Sequence, residues 1–166
     1  DDVDVPLIEH ATMTLASKAG IDVCETRPIP LSVGHAVAVR RFDREVIPGA
    51  AARTAVRRLH IIDGCQAANL PVAYKYERNI GHGADVAHIR DGMSFEKIFG
   101  VRDQWLVPAQ GMQRLVFWAA TTLLLGNSDA HGKNISFYVE RGGLRVAELY
   151  DLVSVLQYDP DLLEHS

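Results

Sequence analysis

The sequence predicts an α+β fold that is mainly helical, and three observations lead to this prediction. Residues 6–19 and 108–125 have the length and pattern of helices, each with a proline at its start and a glycine directly after its end. Residues 135–139 and 144–150 are β-rich runs separated by the turn sequence Arg-Gly-Gly. The chain has 166 residues, of which 48% are hydrophobic, so its length suits one domain with a substantial core.

The N-terminal part of the chain predicts one helix followed by one strand. In residues 6–19 a shared face is formed at spacings of three and four by Ile8, Ala11, Leu15 and Ala19. Glu9 lies near the start of this helix, beside that face. Residues 36–42, with the sequence AVAVRRF, predict a strand.

The middle of the chain contains further helix-compatible segments, at residues 49–59 and 62–70. Asp63 is placed to act as the N-cap of the second segment. Residues 94–100 predict a short helix that is capped by Ser94. The apolar run at residues 115–125, LVFWAATTLLL, predicts a core helix in which five side chains are buried, namely Leu115, Phe117, Trp118, Leu123 and Leu124.

Composition excludes several functional classes. The net charge of −4 and the pI of about 6.0 give no electrostatic basis for bulk nucleic-acid binding. The most apolar run has eleven residues and a polar entry, which is too short to span a bilayer. Cys24 and Cys65 are too few for a disulfide scaffold or a zinc site, and we expect two buried thiols in a reducing cytoplasm. No signal peptide opens the chain, and the absence of an initiating methionine predicts an excerpt of a longer protein or a processed one.

The most informative stretch is the polar loop that follows the long helix. It contains Asp129, His131, Lys133 and Asn134, and Asp151 follows directly after the predicted hairpin. The spacing D-x-x-x-x-N is that of a protein-kinase catalytic loop, in which the Asp accepts the proton of the attacking hydroxyl and the Asn holds Mg²⁺. Asp151 follows a hairpin, as the second metal-binding Asp of protein kinases does. Asn134 and Asp151 together would supply the few protein oxygen atoms that Mg²⁺ prefers beside phosphate and water.

Two other interpretations of this loop remain open. Asp129 and Asn134 are residue types that often cap turns, and a single such residue has no need of a catalytic role. A metal hydrolase using Asp129, His131 and Asp151 is also conceivable, but the sequence lacks a second histidine at ligand spacing. The combination of buried helix, D-x-x-x-x-N, glycine hairpin and terminal Asp favours phosphoryl transfer.

Several motifs resemble the HipA family, whose members are bacterial toxin-type serine/threonine kinases. GNSDAHGKN, followed by a hairpin and YDL, resembles the catalytic core of that family. IEHATMTLASKAGI resembles its N-E-x-x-x-x-x-L-A-x-x-x-G-I helix, with Glu9 in the glutamate position, and AVRRFDR resembles its hinge strand. LHIIDGCQAANLPVAYKYE resembles its H-Q-E-D-x-x-Q segment and the K-Y-E that follows. The resemblance covers residues 7–155 and implies a protein-kinase-like C-terminal lobe with a catalytic-loop β-hairpin.

The resemblance implies roles for the loop residues. Asp129 is the implied catalytic base, Asn134 and Asp151 are the implied Mg²⁺ ligands, and Lys133 is implied to steady the transferring phosphate. His131 has either a structural or a catalytic role in this scheme.

The resemblance also implies an ATP site. The backbone of residues 40–42, which include Arg41 and Phe42, is implied to meet the adenine, and Asp43 is implied to lie near the ribose. Glu9 is implied to pair with the lysine that binds the ATP phosphates in a β-rich lobe. The sequence departs from the family at Ile61 and Ile62, which replace the Gln and Glu of H-Q-E-D.

The function implied by the resemblance is ATP- and Mg²⁺-dependent phosphoryl transfer to a Ser or Thr hydroxyl of a protein. The glycine-rich ATP loop, its lysine and part of the C-terminal helical region are not in the sequence, so we expect a catalytic portion that is inactive alone. An aminoacyl-tRNA synthetase is the implied substrate and a DNA-binding antitoxin the implied partner, while neither direct nucleic-acid binding nor a membrane is expected. A non-catalytic kinase-like binding module and a kinase of small molecules or lipid head groups remain as alternatives.

Overall fold

The computed structural model of the chain describes residues 4–48, 55–79, 81, 83, 85 and 88–154. The helices are α1 (Val5–Lys18), α2 (Gly64–Ala67), α3 (Phe95–Gly100) and α4 (Pro108–Leu124), with 3₁₀ turns at Val72–Tyr74 and Val101–Gln104. The strands are β1 (Thr26–Pro30), β2 (His35–Val39), β3 (Arg44–Ile47), β4 (Ala55–Arg58), β5 (Ile61–Asp63), β6 (Glu77–Asn79), β7 (Arg90–Gly92), β8 (Ser136–Glu140) and β9 (Gly143–Val146). With about 35% helix and 27% strand, a mainly helical chain is not confirmed.

The described residues belong to two compact units, each assembled from segments that are separate in the sequence. The first unit takes its described residues from Asp1–Phe42, Val116–Ala130 and Glu148–Ser166. The second unit takes them from Asp43–Leu115 and His131–Ala147. The polar loop after α4 therefore contributes Asp129 to the first unit and residues 131–134 to the second.

Helix α1 of the first unit matches its predicted limits within one residue. The side chain of Asp4 caps its start by accepting from the backbone N–H of Leu7, and Gly20 follows its end with a φ of 81°. The predicted buried face is wrong, because Leu15 is exposed whereas Thr12, Met13 and Ala16 are buried. Positions 9, 12, 13 and 16 form one stripe at helical spacing, so the half-buried side chain of Glu9 lies on the buried face itself.

Strands β1 and β2 form an antiparallel hairpin in the first unit. β2 confirms most of the strand predicted at residues 36–42, whereas β1 was not predicted because two prolines weaken its strand pattern. The hairpin hydrogen bonds run from Leu31 N to Gly34 O and from Arg40 N to Glu25 O. These bonds involve odd-numbered residues on the β1 side. Pro28 and Pro30 therefore occupy positions at which no backbone N–H is needed for pairing with β2.

The three-stranded sheet of the second unit has the strand order β5-β8-β9, with both pairs antiparallel. The hairpin predicted at residues 135–150 is confirmed as β8 and β9. The sequence also predicts that Ile135, Phe137 and Val139 alternate with outward Ser136 and Tyr138, which is wrong because Ser136 and Tyr138 are buried together with Phe137. The predicted inward positions of the return strand, Leu144 and Val146, are buried as expected. Burial of three consecutive residues means that packing covers both faces of β8, and period-2 alternation is lost in a strand that is buried on both faces.

Two helix predictions in the middle of the chain need correction. Residues 55–58 of the predicted helix 49–59 form β4 and pair with β3, while residues 49–54 lie outside the described part of the chain. The predicted helix at 62–70 is reduced to the single turn of α2, preceded by β5. Asp63 is confirmed as the N-cap of α2, and Gln66 completes a capping box with it. Ser94 is confirmed as the N-cap of α3.

Helix α4 buries a narrower face than the sequence predicted. Leu115 and Trp118 are buried, and Gly111, Thr121 and Thr122 extend the same stripe. The predicted burial of three further side chains is wrong, because substantial exposure is found for Phe117, Leu123 and Leu124. An apolar run longer than one helical turn places residues on every side of the helix, and packing covers only one side here.

The two cysteines agree with what the sequence predicts of them. Cys24 and Cys65 are both buried and neither is in a disulfide, as predicted. No helix among the described residues combines the length and the apolar character that a bilayer-spanning segment requires.

Candidate active site

The loop after α4 is anchored by a buried asparagine. Gly126 ends the helix with a φ of 58°. Asn127 is only 5% exposed, and its backbone N–H donates to Thr122 O over 2.9 Å. Ala130 N donates to Asn127 O over 3.4 Å, which closes a tight turn around Asp129. Asp129, the implied catalytic base, is therefore exposed on a turn that the hydrogen bonds of Asn127 fix within the first unit.

Asp151 has an unusual backbone conformation. Its φ is 58°, in the left-handed region that residues other than glycine seldom adopt. The side-chain amide of Asn127 donates to Asp151 O over 3.3 Å and so holds this conformation from the loop of Asp129. Strained backbone of this kind concentrates at functional sites, where the surrounding structure enforces it. Asn127 was missed by sequence reasoning, although its position two residues before Asp129 was visible.

Glu9 and Asp151 are close enough to influence each other within the first unit. Burial raises the pKa of the Glu9 carboxyl, and the negative charge of Asp151 raises it further. The structure thus brings Glu9 of α1 within electrostatic range of Asp151 in this unit. This pairing of like charges is one that a bound cation would relieve.

Phe42 and Asp43 adjoin one another in the sequence but belong to different units. The ring of Phe42 stacks on that of Tyr150, with 5.3 Å between the centroids, so the implied hinge contacts the residue before Asp151. Asp43 is 5% exposed and forms an ion pair with Arg44. Arg41 is exposed. The implied adenine and ribose contacts of these residues stay predictions.

The second unit contains the remainder of the loop. His131 and Asn134 exchange two hydrogen bonds, from Asn134 N to His131 O over 2.9 Å and from His131 N to Asn134 Oδ1 over 2.8 Å. Asn134 is 3% exposed, so its side-chain amide is buried within the loop. The ring of His131 contacts that of Tyr76 edge-on, with centroids 5.0 Å apart. These contacts tie His131 to the backbone of the loop and to Tyr76, and the choice between a structural and a catalytic role stays a prediction.

Lys133 is held by a carboxylate that sequence reasoning did not place in the site. Its Nζ lies 2.5 Å from Oδ2 of Asp63. The hydrogen bond from Lys133 to Asp63 raises the pKa of Lys133 and keeps the ammonium charged. No local pattern could have indicated this pair, since its members are 70 positions apart.

The donor atoms that the sequence assigned to a metal fit magnesium in their chemistry. Asn134 and Asp151 offer amide and carboxylate oxygens, which Mg²⁺ prefers and which it supplements with phosphate and water. Among the described residues no group of three or more His, Cys, Asp or Glu side chains is arranged to hold a metal ion, so the three-residue set of the hydrolase alternative is not found there. The pairing of Asn134 with Asp151 on one ion stays a prediction, because the two residues belong to different units.

Comparison with known proteins places these features in a family. The model of the HipA-like C-terminal domain matches residues 2–166. The serine/threonine-protein kinase toxin HipA of Shewanella oneidensis is 42% identical over 151 residues, which is 91% of this chain and 34% of that protein. The chain spans about a third of the length of the curated relatives that it matches.

Solved structures agree with this assignment. The Shewanella oneidensis HipA in complex with HipB and operator DNA matches with a TM-score of 0.84 and 40% identity, over 96% of this chain and 37% of that one. The Helicobacter pylori proinflammatory kinase CtkA matches with a TM-score of 0.61 and 15% identity, over 98% of this chain and 52% of that one, and it shows the fold alone. The fold is thus kinase-like, and the chain belongs to the HipA-like C-terminal domain family.

Proposed function

We propose that this chain is the catalytic portion of a HipA-like serine/threonine kinase. In the full-length protein it takes part in transferring the γ-phosphoryl group of ATP to a Ser or Thr hydroxyl of a protein, with Mg²⁺ as the metal. The observation that carries this proposal is the left-handed backbone of Asp151, held by Asn127 of the loop that bears Asp129. A loop that merely caps a turn has no need to restrain the left-handed backbone of a residue in another segment.

Each polar residue of the site has a role in this scheme. Asp129, exposed on its turn, accepts the hydrogen bond of the substrate hydroxyl and orients it for attack. Lys133 places an ammonium group where the negative charge of the transferring phosphoryl group is spread. His131 keeps the loop in shape through its backbone bonds with Asn134 and its ring contact with Tyr76.

Asn134 and Asp151 are the residues that would hold Mg²⁺, and the negative charge of Asp151 raises the pKa of Glu9. The metal, when bound, neutralises charge on the β- and γ-phosphates of ATP. Glu9 is positioned on the buried face of α1 and pairs with a lysine of a separate ATP-binding lobe in this scheme. Arg41 and Phe42 contribute backbone groups toward the adenine, and Asp43 lies on the ribose side.

The partners of the full-length protein follow from its relatives. The HipA of Shewanella oneidensis forms a complex with HipB and operator DNA. We infer a HipB-like, DNA-binding antitoxin as partner of the full-length protein that contains this chain. An aminoacyl-tRNA synthetase is the candidate substrate on family resemblance, and the cytoplasm is the matching compartment.

A phosphate-transfer assay with labelled ATP and Mg²⁺ tests the proposal on three samples: the full-length protein, the same protein with Asp129→Ala, and this chain alone. The full-length protein is expected to label a protein substrate, and Asp129→Ala to lower the rate by roughly 10²–10⁴-fold, the usual contribution of a catalytic base. The chain alone is expected to show no turnover, because positioning of ATP from both sides supplies most of the rate. Full activity of the Asp129→Ala variant would exclude the assigned loop. ATP binding without transfer to any acceptor would indicate the binding module.

A further inference from the structure

We propose that Asp63 is a positioning residue of the phosphoryl-transfer site, whose carboxylate fixes the ammonium group of Lys133 within the loop that carries Asn134. The proposal rests on the proposed function, in which Lys133 meets the transferring phosphoryl group. It adds a residue from a separate segment, at the junction of β5 and α2, to the machinery of that site.

The two oxygens of the Asp63 carboxylate have separate partners. Oδ1 accepts the backbone N–H of Gln66 over 2.9 Å, and Oδ2 lies 2.5 Å from Nζ of Lys133. The Asp63 side chain is 14% exposed and that of Lys133 is 37% exposed. An ion pair that is half withdrawn from water is screened less than one on the open surface, and its geometry is better defined. Lys133 therefore has one end in the loop and the other end on a fixed anion.

Asp63 is itself held rigidly enough to serve as an anchor. It ends β5, where it pairs with Ser136 of β8, and it is the N-cap of α2. Its backbone N–H donates to Oε1 of Gln66 over 2.9 Å, which completes the capping box. The pairing of β5 with β8 fixes the backbone of Asp63, and the backbone N–H of Gln66 engages one carboxylate oxygen, so the position of the second oxygen is set without the side chain of Gln66.

The backbone on both sides of Lys133 is hydrogen-bonded to residues that follow Asp63 in the sequence. Gly64 N donates to Ile135 O over 2.9 Å, and Gly132 N donates to Lys75 O over 2.8 Å. A Cβ atom built on Gly64 would lie 2.6 Å from Gly132 O, so only glycine permits this approach. With the backbone anchored and the ammonium group paired to Asp63, little freedom is left except in the methylene stem of Lys133. Such ordering before substrate arrives is what electrostatic stabilisation of a phosphoryl group requires.

A purely structural role of Asp63 is the competing explanation, because the same side chain caps α2. Asparagine caps helices as well as aspartate does, so Asp63→Asn keeps the cap and removes the negative charge. Gln66→Ala does the reverse, since it removes one bond of the capping box and leaves the pair of Asp63 with Lys133 intact. These two variants separate the cap from the charge.

The test measures kcat and KM for ATP on the full-length protein with Asp63→Asn, Gln66→Ala, Lys133→Ala and the double variant Asp63→Asn/Lys133→Ala, together with melting temperatures. Asp63→Asn is expected to lower kcat by roughly 10- to 100-fold, as the loss of groups that orient functional residues commonly does. Its KM for ATP and its melting temperature should stay close to those of the wild type, because Lys133 acts on the transition state. Gln66→Ala is expected to lower the melting temperature and leave kcat unchanged. The double variant should be no slower than Lys133→Ala alone, since Asp63 acts through that residue.

Wild-type kcat in Asp63→Asn, or a double variant whose losses multiply, would overturn the proposal. Amide hydrogen exchange of the peptide containing residues 131–135 supplies a readout that does not need catalysis. Asp63→Asn is expected to speed exchange there and Gln66→Ala to leave it unchanged, and equal exchange in Asp63→Asn and wild type would also overturn the proposal. If the wild-type protein transfers no phosphate, the proposed function fails, whereas faster exchange in Asp63→Asn still supports the anchoring of the loop by Asp63.

Discussion

Asn127 donates a hydrogen bond from its side-chain amide to the main-chain oxygen of Asp151, 3.3 Å away, and so connects the two loops of the first unit that carry acidic site residues. The donor is 95% withdrawn from solvent, and the acceptor belongs to a residue with a φ of 58°. Removal of this amide leaves a strained backbone without its restraint and a carbonyl without its donor. The backbone of Asp151 would then relax toward more populated conformations.

We therefore expect Asn127→Ala to lower the apparent affinity for Mg²⁺ by roughly 10- to 100-fold, the usual effect of losing a partner that orients a metal ligand. Phosphate transfer would then need correspondingly more Mg²⁺. Initial rates of the full-length protein across a Mg²⁺ series measure this. Thr122→Val is the control, since Thr122 is buried nearby and its hydroxyl has no hydrogen-bond partner among the described residues. An unchanged Mg²⁺ series for Asn127→Ala would show that the bond has no bearing on the metal.

Asp151→Asn separates backbone conformation from charge at the proposed metal site. Asparagine tolerates the left-handed region about as well as aspartate, so the fold should be retained. The loss of one negative charge should nevertheless lower the apparent affinity for Mg²⁺ at least about tenfold, because Mg²⁺ binds carboxylate oxygen in preference to amide oxygen. The measurement is a Mg²⁺ titration of activity combined with a thermal melt. A variant that melts like wild type and needs no more Mg²⁺ would remove Asp151 from the ligand set.

The unequal burial of two leucines in α4 predicts unequal stability effects. Leu115 is 0% exposed, and Leu115→Ala should lower the free energy of unfolding by about 2–5 kcal/mol. Leu124 is 81% exposed, and Leu124→Ala should change it by less than about 0.5 kcal/mol. Urea unfolding of this chain, followed by tryptophan fluorescence, compares the two variants directly. Equal losses in both would mean that the exposed face of α4 is covered in solution.

The buried thiol of Cys24 predicts a loss of stability at alkaline pH. Burial, with smaller contributions from the charges of Glu148 and Asp22, raises the pKa of Cys24 to about 12. The thiol in the unfolded chain ionises near 9.0, so stabilisation by the neutral thiol is complete below pH 9 and declines as the pH rises toward 12. We expect the urea midpoint to fall more between pH 8 and pH 10.5 in wild type than in Cys24→Ala. Parallel declines in the two proteins would contradict the raised pKa.

The parts of the fold that the sequence predicted well are those fixed by local chemistry. Proline and glycine bracket α1 and α4, so both ends of these helices were found within one residue, and capping side chains marked where α2 and α3 begin. Burial depended on neighbours that no local pattern contains. In α1 the covered stripe includes Glu9 and Thr12 in place of Leu15, and an apolar side chain gives no sign that packing will leave it exposed.

The candidate site divides in the same way. The spacing of Asp129 and Asn134 and the return of Asp151 after a hairpin were visible in the sequence, because one loop and one turn connect them. Asp63 was visible only as a helix cap, since its bond to Lys133 joins residues 70 positions apart. Asn127 was passed over because a buried asparagine and an exposed one look alike in a sequence.

The two prolines of β1 have a consequence for association with other chains. The edge of a two-stranded hairpin is a template on which a further strand can add, because its outward N–H and C=O groups lack partners. In β1 the backbone groups of the even-numbered residues point away from β2. Pro28 and Pro30 have no N–H at those positions. An incoming strand would find acceptors there without the alternating donors that it needs. The hairpin is thereby protected along this edge from β-sheet growth and aggregation.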